Sequence, residues 1–66
     1  MAKKSPYKFT MVFDEIDEVE VRKRIDTLLD EVTGKVVVRG NDIMISKIDD
    51  AFAFMMQASL MIKANP

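Results

Sequence analysis

Residues 48–64 constrain this chain more than any other stretch. They read Ile-Asp-Asp-Ala-Phe-Ala-Phe-Met-Met-Gln-Ala-Ser-Leu-Met-Ile-Lys-Ala, and only three of the seventeen are charged. A helix with apolar residues on every side seeks burial on every side. A chain of 66 residues has one small core to provide. Domains of that size bury only about 60% of their unfolded surface, so a lone core is marginal. The sequence contains no Cys, which removes disulfides and thiolate metal sites as supports. It contains no His either, and with it go the commonest metal ligand and the commonest general base. Oligomerisation and regular packing remain.

Other elements read from periodicity. Residues 1–6 are polar, carry Lys3 and Lys4 and end in Ser5-Pro6. They read as a mobile tail without the apolar core of a signal peptide. Tyr7 to Phe13 alternates, with Tyr7, Phe9, Met11 and Phe13 on one face, and this is a half-buried strand. Asp17 with Glu20 three residues on forms a capping-box-like start to a helix. Val21, Ile25, Leu28, Leu29 and Val32 make its core stripe, and Glu18–Arg22 and Glu20–Arg24 are favourable i,i+4 pairs. Gly34 then suits a left-handed C′ position. The acidic run from Asp14 to Glu20 reads as a helix start favoured by the dipole, not as a cation site.

Lys35–Arg39 and Asp42–Ser46 flank Gly40-Asn41, a two-residue loop suited to a type II′ hairpin. That register opposes Arg39 to Asp42 as an ion pair and puts Val36, Val38, Ile43 and Ile45 on one face. The opposite face is mixed, with Val37, Met44, Val12, Lys8, Thr10, Arg39 and Ser46, and is a candidate second contact surface. Ser46 or Asp49 is the expected N-cap of the last helix, which is taken to run to Ala64. On its wheel Phe52, Met56 and Leu60 form one ridge, assigned to the core. Phe54, Met55, Ala58, Met61 and Ile62 form the other face, assigned to an interface.

The expected architecture is a single α+β domain over residues 7–64, in two layers with the order βαββα. Its three-stranded sheet has the order 1-3-2, with both helices on one face. This is like a ferredoxin-type split βαβ that stops before its last strand. The first strand is then an open edge, which invites pairing with another chain.

Function is less legible than fold. Ten Lys and Arg against eleven Asp and Glu give a net charge of −1. That lacks the clustered positive charge of a nucleic-acid footprint. No apolar run reaches the roughly 18–20 residues of a membrane span. No Gly-rich phosphate loop or nucleophile–base spacing occurs, and the chain is read as a non-enzyme without cofactor or metal. A cytoplasmic setting is the default. The expected role is a homo-oligomeric interaction module, dimeric by default, built on the last helix. The alternative is a small accessory or inhibitor protein docking another macromolecule through the same Met- and Phe-rich face. A weak nucleic-acid binder using Lys3, Lys4, Lys8 and Arg39 ranks last.

Overall fold

A computed structural model describes residues 7–65; the tail assigned to residues 1–6 lies outside the described residues. The strands and helices are β1 Tyr7–Met11, α1 Glu18–Leu29, β2 Val36–Arg39, β3 Asp42–Ile45, α2 Ile48–Gln57 and β4 Ile62–Ala64. The sheet has four strands in the order β2-β3-β1-β4, every neighbouring pair antiparallel. The expected 1-3-2 order is present within it, and the strand that was expected to be missing is there. β4 covers the edge of β1 that was expected to lie open, so the topology is the complete βαββαβ double split.

Local chemistry builds most of these elements as the pattern dictates. The Asp17 carboxylate accepts the Glu20 N–H at 2.9 Å and caps α1. Glu18–Arg22 and Glu20–Arg24 close at 2.9 and 2.7 Å on its outer face. Between β2 and β3 the chain turns on Gly40, whose φ of 58° favours glycine. The hairpin register sets Val36 opposite Ile45, Val37 opposite Met44, Val38 opposite Ile43 and Arg39 opposite Asp42. The expected Arg39–Asp42 ion pair does not form. Asp42 instead accepts the Thr10 hydroxyl at 3.2 Å, from β1 on its other side.

The end of the chain departs from expectation. α2 stops at Gln57, seven residues short of Ala64 (64 − 57 = 7). Residues 58–61 turn, with the Met61 N–H on the Ala58 carbonyl at 2.8 Å, and the chain returns as β4. Met11 then lies opposite Ile62, Thr10 opposite Lys63 and Phe9 opposite Ala64. Pairing with β1 satisfies backbone groups on both strands and carries Ile62 into the core.

The core lies between the sheet and the two helices. β1 and β3 supply Phe9, Met11, Ile43 and Ile45, α1 supplies Val21 and Ile25, and α2 supplies Ala51 and Phe54. Phe54 meets Phe9 edge-on, with ring centres 5.5 Å apart and planes at 64°. Phe54→Ala is expected to cost about 3–5 kcal/mol, enough to unfold most of a domain this small. Phe52→Ala, on the outer face, should cost under about 1 kcal/mol in the isolated chain. Urea denaturation at low protein concentration, followed by circular dichroism, compares the two.

Candidate functional site

α2 carries two faces, and the structure exchanges the roles assigned to them. Phe54, Ala58, Met61 and Ile62 are buried in the protomer, and Met55 is half-buried. Residues expected at an interface therefore form core. The ridge expected in the core is exposed: Phe52 at 61%, Met56 at 78% and Leu60 at 62%, with Ile48 at 53% one turn earlier. The cause is the early helix end. Met61 and Ile62 belong to the turn and to β4, and β4 pulls them under the sheet's cover. The face continuous with them, through Ala51, Phe54 and Ala58, has to turn inward.

Ile48, Phe52 and Met56 are four residues apart and line one side of α2, and Leu60 extends the row past the helix end. Around them lie Ala53, Gln57 and Ser59, and Lys47 and Asp49 flank Ile48 in sequence. Contiguous exposed apolar rows of this kind mark contact sites. Ile48 and Phe52 also form the lip of a cleft of about 830 Å³ between α2 and the end of the sheet. Tyr7, Phe9, Ala51 and Met55 line it, with Lys8 as the charged member.

The start of α2 is held by Asp50, a residue that the sequence pattern does not single out. Neither expected N-cap is used. Lys47 occupies the cap position without a side-chain bond, and the Ser46 hydroxyl instead donates to the Lys35 carbonyl at 3.1 Å. Asp50 reaches across to the loop after α1. Its carboxylate accepts the Gly34 N–H at 2.8 Å, the Thr33 N–H at 3.2 Å and the Thr33 hydroxyl at 3.1 Å. Gly34 is required by this contact and not by a left-handed backbone, since Gly40 is the glycine with positive φ. A Cβ at Gly34 would sit 2.7 Å from the Lys47 side chain and 3.1 Å from the Asp50 carboxylate.

The hairpin tip is fixed in the same way. Arg22 donates to the Gly40 carbonyl at 3.3 Å and the Asn41 side-chain oxygen at 2.6 Å, while stacking 5.6 Å from the Phe13 ring centre. On the open sheet face Asn65 donates to the Thr10 hydroxyl at 2.8 Å. Thr10 in turn donates to Asp42, which links β1 and β3 to the residue after β4. These groups are committed to structure. Among the described residues no cluster of three or more acidic, His or Cys side chains is placed to hold a metal, and no helix is long and apolar enough to cross a membrane.

Comparison with protein-family models, with curated proteins and with solved structures finds no match.

Burial alone would raise the Asp50 pKa, but the Gly34 and Thr33 hydrogen bonds and the nearby Lys47 charge outweigh it and hold it below the ordinary carboxylate value. A depressed folded pKa gives stability that is fully present above the unfolded value of about 3.9 and is lost as pH falls through the folded value. Acid-induced unfolding of the wild type should therefore include a component that Asp50→Asn lacks. The Asn variant should be less stable at neutral pH, because its amide keeps an acceptor for one of the Thr33 and Gly34 N–H groups and turns its NH2 toward the other. Denaturant titrations between pH 7 and pH 2.5 measure both effects.

Proposed function

We propose that this chain is a non-enzymatic, homo-oligomeric interaction module that self-associates as a dimer through the Ile48–Phe52–Met56–Leu60 ridge of α2. The observation that carries this is the exposure of four large apolar side chains in one row, each more than half accessible. Leaving such side chains in water forgoes about 1.5–3 kcal/mol for each that burial would cover. The interface moves from the face expected by sequence to the opposite face, and the type of role is unchanged.

The row is also self-complementary. Antiparallel packing about position 54 sets Phe52 against the partner's Met56 and Ile48 toward the partner's Leu60. It opposes Asp49 to Ser59, so no like charges meet. It brings the partner's Leu60 to the lip of the cleft beside Ile48 and Phe52. Met56 adapts to irregular contacts better than branched side chains do. The absence of His and Cys from the sequence supports a binding role over a chemical one.

Sedimentation velocity at micromolar concentration tests the proposal. The wild type is expected to sediment as a dimer. Phe52→Asp and Met56→Asp should each raise the dissociation constant by about a hundredfold or more. Their circular dichroism should stay that of the wild type, because neither side chain belongs to the core. A wild type that remains monomeric under these conditions refutes self-association and transfers the ridge to the accessory-protein reading.

A further inference from the structure

The sheet has two outer strands, and they differ. β4 is three residues long, and its Ile62 is buried. β2 runs Val36-Val37-Val38-Arg39, with Val37 43% and Val38 46% exposed. Natural edge strands are protected by short length, by Lys and other charges, by Pro or by bulges, and β2 has the first two, being four residues long with Lys35 and Arg39 at its ends. β2 has no Pro, its register against β3 is unbroken, and its three valines lie between Lys35 and Arg39.

The hairpin determines which backbone groups face outward. In a two-residue hairpin the residues flanking the turn exchange both backbone hydrogen bonds, and alternate pairs do so along the ladder. Here that pair is Arg39 and Asp42, and the Ser46 N–H on the Lys35 carbonyl at 3.1 Å continues the alternation. Arg39, Val37 and Lys35 therefore direct their N–H and C=O groups toward β3. Those of Val36 and Val38 point away from the sheet, spaced about 6.8 Å apart. Two donor–acceptor pairs stand ready for one further strand.

We propose that the outer edge of β2 binds an extended segment of another protein, in which apolar residues are flanked on both sides by acidic ones. Side chains of period two place Lys35, Val37 and Arg39 together on the open sheet face. Neither cation has an ion-pair partner among the described residues, the two pairs there being Glu18–Arg22 and Glu20–Arg24. An incoming antiparallel strand meets, in order, a cation, three valines and a cation. Opposite charges across a strand pair favour it and like charges oppose it. A second β2 is therefore a poor occupant. Pairing about Val37 keeps both helix layers on one side and uses the whole strand, but it sets Lys35 against Arg39 twice. Registers shifted by two residues relieve this only by running residues 33–34 or the Gly40-Asn41 turn into the ladder.

The test uses the full chain and two labelled, end-blocked peptides, Glu-Val-Thr-Val-Glu and Lys-Val-Thr-Val-Lys. Fluorescence anisotropy at low salt should show the Glu-flanked peptide binding about tenfold more tightly than the Lys-flanked one, and the difference should shrink as salt is added. Amide resonances of Val36 and Val38 should shift most. Val38→Pro removes an outward donor that the β2–β3 ladder does not use, so the fold should persist while binding is lost. Val38→Thr should retain binding. Phe52→Asp should retain it too, which separates this site from the α2 ridge. Equal binding of the two peptides, no binding at millimolar peptide, undiminished binding by folded Val38→Pro, or β2 pairing only with a second copy would each overturn the proposal.

Discussion

Pairing of β1 on both edges is the constraint on which the rest of the structure depends. β3 takes one edge and β4 the other, so the first strand of the chain becomes an inner strand of the sheet. An inner strand cannot leave backbone groups unpaired, and its buried face must be filled along its whole length. Phe9 and Met11 meet that second demand with Ile62 beside them on β4, and Phe54 packs against Phe9 from α2. Once β4 is committed to β1, the helix before it has to end early enough for the chain to turn back. The inner face of α2 follows from that, and so does the row left outside.

The core is covered from two directions that are tied together by polar contacts rather than by more apolar area. Asp50 fastens the first turn of α2 to the loop that leaves α1. Arg22 fastens α1 to the hairpin tip. Asp50 is satisfied by two backbone N–H groups and the Thr33 hydroxyl, Arg22 by the Gly40 carbonyl together with the Glu18 and Asn41 side chains. Charge-assisted bonds of this kind are stronger than neutral ones and fix loops that small apolar contacts could not hold. The surfaces left over are the ridge on α2 and the valine edge of β2, which lie on different layers.

Local signals in the sequence identified β1, α1 and the hairpin well. The alternation from Tyr7, the Asp17–Glu20 cap and the Gly40-Asn41 turn each act within a few residues, and each appears in the structure. β4 was illegible for the same reason. Residues 58–61 contain neither Gly nor Pro, and Ile62–Ala64 is a three-residue strand inside an apolar run that also fits a helix. Its existence depends on β1, more than fifty residues away. The same holds for Asp50 and Arg22, whose partners lie sixteen to nineteen residues distant. The rotation of α2 was then read from a wheel drawn too long, which grouped Met61 and Ile62 with Phe54 correctly as neighbours but assigned the group to the wrong side.

Closing the sheet by joining Phe9 to Ala64 also governs when this domain can finish folding. The hairpin and α1 involve short loops and can form as soon as they are made, since short loop closures cost least entropy. The inner strand, by contrast, waits for residues more than fifty positions later before its second edge is paired. Contacts of such high sequence separation form slowly, and until β4 arrives one edge of β1 stands exposed to other chains.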